Sequence, residues 1–517
     1  MPHAQTDNQS QAPERHLEKQ GREFHLRRLL EEPGLQGTLT KSLCLHNERE
    51  SASFHIPGHK GRLRFRELSS FHDFASEFDV TELDDLDDLS YPTGVLRDLE
   101  RRVANLYGVE NSIISVSGAS GGLLAAIIAV AKRGSELLVP RNAHRSVIHA
   151  LVLSGLKPRW YEPEWNSEWA VWQNVTPAQL DASFGEGSPD AVAGVLVVSP
   201  TYAGALSDIK ALAEVSHKHG VPLIVDEAQG AHFFSGLNRL QSPVADSPDT
   251  ETVSEQSRAF RKREKNPLMP VSACQSGADL VVHSFHKTIG AMTQTGAVHI
   301  ATQKYVSAED VRAALRLVST SSPSYVLLSS IEQAILVHES EEGLQKLNSI
   351  VHLSNDIRRA VSSKLHVYEL EGGVDPLHVL LGSPLLSGRQ LYNFFVERGI
   401  FCEAVLGSGC LLMLGAGTVS SDIELVIAAL DDLPSASAAG TMICVAKPQP
   451  IEQVISPREA FFAPTEIALA KDAGGRISAD CLAPCPPGMP VCVPGARVAQ
   501  NEGLSINGHL RVLLESG

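Results

Sequence analysis

The stretch Gly277-Ala278-Asp279-Leu280-Val281-Val282-His283-Ser284-Phe285-His286-Lys287-Thr288 reads as a turn, a short buried strand and a polar cluster that carries one lysine. A brief apolar run bounded by glycine fits a strand. Lys287 therefore emerges at a strand's carboxyl end, where open α/β sheets bind ligands, and where a Schiff-base lysine would sit. Taken alone, Lys287 reads as a solvated surface charge. The residues upstream reverse that reading.

Working outward, the segment from Ser112 to about Ile300 alternates apolar strands with amphipathic helices. Expected strands are Ser112–Val116, Glu136–Val139, Val192–Val198, Leu223–Val225, Leu280–Val282 and Ala297–Ile300; expected helices are Gly121–Lys132, Ser146–Ser154 and Asp208–His219. Such alternation predicts an α/β domain with a mostly parallel sheet. The expected division is a disordered tail (1–22), an N-terminal arm and substrate-side segment (23–110), an α/β large domain (111–345) and a smaller α+β C-terminal domain (346–517). Helices are expected at about His16–Glu32, from near Gly94, at Gly388–Arg398 and at Ser421–Leu433. The polar stretch 238–275, with Arg261-Lys262-Arg263-Glu264-Lys265, reads as a surface insertion and a solvated loop of mixed charge. From Pro448 the chain is rich in Pro and Gly and is expected to wrap back over the rest.

The chain has 517 residues, 43% of them apolar, and a formal charge of −16. That balance disfavours nucleic acid and anionic membranes as partners. No run of eighteen apolar residues occurs, and the polar start carries no signal-peptide pattern, so a cytoplasmic location is expected. The eight cysteines read as free thiols. The late group Cys481, Cys485 and Cys492 matches no common zinc spacing, and no metal is expected.

Four segments supply chemistry. Ser117-Gly118-Ala119-Ser120-Gly121-Gly122 is a strand-to-helix turn of small residues, where backbone N–H groups and the helix dipole favour a phosphate. It lacks the P-loop Lys-Ser/Thr pair and the dinucleotide glycine spacing, which disfavours ATP and NAD. In Pro140-Arg141-Asn142-Ala143-His144, the His144 imidazole either stacks on a flat ring over the crevice or belongs to a helix cap. Val221-Pro222-Leu223-Ile224-Val225 delivers Asp226, a buried carboxylate that needs a partner. One cofactor accounts for the set: the glycine turn takes a phosphate, His144 covers a ring face, Asp226 holds a ring nitrogen protonated and Lys287 forms an imine. That cofactor is pyridoxal 5'-phosphate.

With these residues placed, the chain resembles the pyridoxal-phosphate-dependent Orn/Lys/Arg decarboxylases of the aspartate-aminotransferase-like fold, fold type I. The marks are His55-Ile56-Pro57-Gly58-His59-Lys60-Gly61, Asp79-Val80-Thr81-Glu82, Leu86-Asp87-Asp88-Leu89, Arg141-Asn142-Ala143-His144, Asp226-Glu227-Ala228, Ser284-Phe285-His286-Lys287-Thr288, Ser456-Pro457-Arg458-Glu459-Ala460-Phe461-Phe462 and Gly475-Arg476-Ile477-Ser478-Ala479. The resemblance implies Lys287 as the Schiff-base lysine, Asp226 on the pyridine nitrogen, His144 on the ring, and Ala119, Ser120, Ser284 and His286 on the phosphate. It also implies a homodimer or a higher homo-oligomer. The family pattern is broken at Gln229, Ala203, Cys485 and Ala496, all of which bear on the substrate side.

The expected reaction is decarboxylation of a basic amino acid (lysine, arginine or ornithine), with His286 or Lys287 returning a proton to Cα. Glu82, Asp84, Asp85, Asp87 and Asp88 are candidates for the substrate's distal cation, or else form a solvated acidic loop. An aminotransferase or aldolase on the same fold, or a pyridoxal-phosphate-binding homologue without turnover, remains the alternative, because fold and cofactor do not fix which Cα bond breaks.

Overall fold

A computed structural model describes residues 52–54, 87–185, 191–234, 269–361, 365–433, 444–499 and 509–514. The expected tail, the helix at about His16–Glu32 and most of the 238–275 insertion lie outside the described residues.

The centre is a seven-stranded sheet. Its order is Asn111–Ser115, Gly296–Ile300, Leu280–Ser284, Leu223–Asp226, Val192–Val198, Glu136–Pro140 and Lys157–Tyr161. Gly296–Ile300 runs antiparallel to both its neighbours, and the other adjacent pairs are parallel. The strands carry apolar residues on both faces because both faces are covered. Ile114, Leu138, Val197, Val225 and Val281 enter one core, while their chain neighbours Ile113, Leu137, Leu196, Ile224 and Leu280 enter the other. The two-residue period of a strand thus feeds two cores from one run of sequence.

All six expected strands occur, Val192–Val198 unchanged and the others with ends moved by a residue or two. The helix expected to start at Gly121 starts at Gly118. The small-residue turn is itself helical, closed by Gly121 N–H donating to the Ser117 carbonyl at 3.1 Å. Gly118 enters this turn with φ +65°, a left-handed conformation suited to glycine. The helix Gly118–Val130 is apolar all round and accordingly lies between the sheet and the helices Arg145–Ser154 and Ala308–Val318.

A second, antiparallel sheet joins His366–Val367, His378–Gly382, Gly409–Met413 and Ala404–Leu406. Gly388–Val396 and Ser420–Asp431 are helices, close to expectation. Ala52–Phe54 pairs in parallel with Ile400–Cys402, which ties the N-terminal segment to this region. The Pro/Gly-rich C-terminal part does fold back. Arg141 donates to the Pro490 carbonyl (2.8 Å), Trp160 to Gln453 (3.1 Å) and Arg458 to the Leu153 carbonyl (2.8 Å).

Candidate active site

The carboxyl ends of the parallel strands open into a cavity of about 550 Å³. Its wall contains every residue assigned to the cofactor from sequence: Ala119, Ser120, His144, Asp226, Ser284, His286 and Lys287. These positions come from four separate strand ends or helix starts. Right-placed chemistry therefore follows from strand order alone.

Lys287 lies in the helical turn Phe285–Thr288 directly after Leu280–Ser284. Burial lowers its pKa, while the charges of Asp226, Glu403 and Cys485 oppose the shift. An amine with a lowered pKa is the form that attacks carbonyl carbon. Asp226 ends its strand buried, with Oδ1 accepting from the Ala228 N–H at 3.2 Å. Burial raises its pKa, and Lys287 and the Ala228 bond work against that. A buried carboxylate with so little hydrogen bonding suits a cationic ring N–H. Its neighbour Glu227 anchors the loop from behind. Glu227 accepts from the Ser272 hydroxyl (2.6 Å) and the Ala273 N–H (2.9 Å), and its Oε2 shares a proton with His283 Nε2 at 2.7 Å.

His144 meets both sequence readings at once. It is the N-cap of the helix Arg145–Ser154, with Nδ1 accepting from the Ser146 N–H at 3.2 Å, and it also lines the cavity. Burial, then the charges of Lys287, Arg145 and His149, push its pKa down to about 3, so the ring is neutral. Gly488 of the returning C-terminal segment backs the imidazole. A Cβ there would stand 2.7 Å from His144 Cδ2 and Nε2, at φ +79°. Gly488→Ala is expected to cost on the order of 1–2 kcal/mol in backbone strain alone. It should also displace His144, which adds to the fall in melting temperature read by thermal unfolding.

The remaining wall fits a flat phosphorylated ring. The first-turn N–H groups of Ala119 and Ser120 have no intrahelical carbonyl to meet. Ser284 Oγ and His286 Nδ1 lie 3.1 Å apart beside them. Buried Asn142 Oδ1 and Gln229 Oε1 line the same cavity without a hydrogen-bond partner among the described residues. Cationic, anionic and neutral polar groups thus line one cavity in the mixture that a phosphorylated pyridine ring calls for.

The acidic stretch is corrected in part. Asp87 caps the start of the helix Val95–Tyr107, accepting from the backbone N–H of Thr93, Gly94 and Leu96 at 2.8–3.2 Å. Its carboxylate is a helix cap, and neither it nor Asp88 lines the cavity; Glu82, Asp84 and Asp85 lie outside the described residues, as does His55–Gly61. Besides Asp226, the carboxylate that lines the cavity is Glu403, between Ile400–Cys402 and Ala404–Leu406. Sequence reasoning missed it because a lone Glu between two short strands of another sheet carries no local signal. Of the four departures, Gln229, Ala203 and Cys485 line the cavity, whereas Ala496 is buried in the core beside it.

A family model described as Orn/Lys/Arg decarboxylase, major domain, matches residues 37–254 and 257–380. An arginine decarboxylase of Bacillus cereus is 29% identical over 483 residues, covering 88% of this chain and 96% of that protein. An uncharacterized protein of Bacillus subtilis is 31% identical over 474 residues, covering 89% and 92%. The solved constitutive lysine decarboxylase of Escherichia coli superposes with a TM-score of 0.64 at 18% identity, over 99% of this chain and 88% of that one. The fold is therefore that of the fold type I decarboxylases, and the chain belongs to the Orn/Lys/Arg decarboxylase family.

Proposed function

We propose that this protein is a pyridoxal-phosphate-dependent carboxy-lyase that converts a basic amino acid (lysine, arginine or ornithine) to its amine and carbon dioxide. The observation that carries the reading is one cavity holding Lys287, Asp226 and His144 together with the carboxylate of Glu403. The first three suit the cofactor. Glu403 gives the remaining space a negative charge, which a substrate with a distal ammonium or guanidinium would meet.

When bound, the cofactor supplies an electron sink for the bond broken at Cα. The chain's own residues would do the rest. Ala119 and Ser120 N–H, Ser284 Oγ and His286 would hold the phosphate, Asp226 would keep the ring nitrogen protonated, and His144, neutral and fixed by Ser146 and Gly488, would cover one face. Lys287 would provide the covalent attachment, and Lys287 Nζ or His286 would deliver the proton that replaces carbon dioxide. In this reading residues 111–345 bind the cofactor, and the 346–517 part contributes Glu403 and the wall of Cys485, Pro486, Pro487 and Met489.

We place the enzyme in the cytoplasm as a homodimer or a multiple of it. The seven described cysteines are all unpaired, which suits a reducing compartment. The substrate assay is direct: cofactor-loaded protein is given single amino acids, and carbon dioxide and amine are both measured. Equimolar release from a basic amino acid is the expected result. Keto acid without carbon dioxide would move the protein to the aminotransferases.

A further inference from the structure

We propose that Tyr202 is a positioning residue for substrate recognition, holding the Glu403 carboxylate in the orientation that receives the substrate's distal cation. The inference rests on the functional reading above and adds the device that sets its specificity.

The geometry begins at the end of Val192–Val198. The chain turns tightly there: Gly204 N–H donates to the Thr201 carbonyl at 2.8 Å, and Ala205 N–H to Thr201 Oγ1 at 3.1 Å. Gly204 takes φ +91°, and a Cβ there would meet His378 Cβ at 2.7 Å, so the turn sits hard against the second sheet. Asp375 N–H donates to the Gly204 carbonyl at 2.8 Å. Asp375 is itself fixed between His232 Nε2 (3.0 Å) and His378 Nδ1 (2.9 Å), all three side chains fully buried. The turn presents Tyr202 at the cavity wall, where its phenol donates to Glu403 Oε1.

Tyr202 belongs to the segment after the large sheet, and Glu403 to the second sheet, where its N–H donates to the Leu411 carbonyl at 2.9 Å. The bond therefore fixes a carboxylate of one sheet from a rigid turn of the other. Burial, then the charge of Glu403, push the phenol's pKa up, so it stays a donor throughout the working pH range. A phenol-to-carboxylate bond is charge-assisted. Without it, Glu403 samples other rotamers, and part of the binding energy for the distal cation is lost to ordering.

The cofactor-loaded wild type, Tyr202→Phe and Glu403→Gln are compared on the best basic amino acid and on norleucine, which lacks the distal cation. Tyr202→Phe is expected to raise KM for the basic amino acid about ten-fold, with kcat within about three-fold and the visible cofactor absorbance unchanged. Glu403→Gln is expected to raise KM further, and the double variant should be no worse than Glu403→Gln. In Tyr202→Phe, KM for norleucine should change by less than about three-fold. An unchanged KM in Tyr202→Phe, additive losses in the double variant, or equal losses on norleucine each overturn the proposal. Should Tyr202→Phe lose its cofactor absorbance, the Glu403→Gln profile against norleucine alone decides, since a Glu403 without effect on the basic substrate removes the role Tyr202 would serve. A wild type that releases no carbon dioxide from any basic amino acid overturns the functional reading instead, and this inference with it.

Discussion

Lys287→Ala is expected to lower carbon dioxide release by at least about 10⁴-fold and to abolish covalent retention of the cofactor, while the protein still folds. Borohydride reduction followed by intact-mass measurement reads the second effect directly: the wild type gains the mass of the reduced cofactor and the variant does not. The size of the effect follows from surroundings as much as from the amine itself. Lys287 is held in a buried turn, with burial lowering its pKa and Asp226, Glu403 and Cys485 opposing that shift. No other described lysine lines the cavity, so no neighbour substitutes for it. Added primary amines such as ethylamine should restore a small part of the activity of Lys287→Ala, because the cavity that positions the reaction remains. A variant that keeps covalent cofactor, or that loses less than about ten-fold in rate, would show that another residue carries the attachment.

How much of this was legible in the sequence depends on the range of each interaction. The large sheet was readable because each strand announces itself locally: Val192–Val198 is seven residues bounded by polar turns, and the structure returns it unchanged. Lys287, Asp226 and His144 were readable for the same reason, since each sits at the end of such a strand and strand order brings the ends together. What escaped was non-local. The strand Lys157–Tyr161 reads Lys-Pro-Arg-Trp-Tyr, with a proline and two cations; it forms at the sheet edge, where a missing N–H costs little. Glu403 escaped because its meaning comes from Tyr202, some two hundred positions earlier in the chain. The acidic stretch was ambiguous for a complementary reason. Charge made Asp87 a candidate for the substrate's cation, yet an Asp near a helix start is used first by the four unsatisfied N–H groups there.

The stability of the fold should fall steeply below neutrality, and buried histidines are the cause. His338 donates from Nε2 to the Ile289 carbonyl at 3.1 Å, and its Nδ1 has no partner among the described residues. His299 is bonded through Nδ1 to Ser112 at 2.8 Å, and its Nε2 is likewise unpartnered. Protonation of either ring places a charged N–H where nothing accepts it. Burial accordingly pushes His338 down to about 4 and His299 well below the ordinary value of 6.5. The unfolded chain takes up these protons as pH falls through about 6.5, whereas the folded chain refuses His338's until about 4. Stability contributed by the neutral rings is therefore complete above about 6.5 and declines as pH falls, by about 1.4 kcal/mol per pH unit for each ring. The neighbouring Glu227 and His283 do not add to this slope. Glu227 is pushed up to about 8 and His283 down to about 3, so the folded pair carries one shared proton, and between about pH 4.5 and 6.5 the unfolded pair also carries about one. At pH 5, His338 alone removes on the order of 2 kcal/mol from a total that is typically 5–15 kcal/mol, and His299 acts in the same direction. The difference variant is His338→Gln, whose amide keeps a donor for Ile289 and cannot titrate. Denaturant unfolding of wild type and variant across pH 4.5–7.5 should give stability curves that converge as pH falls, the variant losing about 1.4 kcal/mol per unit less. Parallel curves would mean that the folded chain takes up the His338 proton as readily as the unfolded one, the ring having found an acceptor.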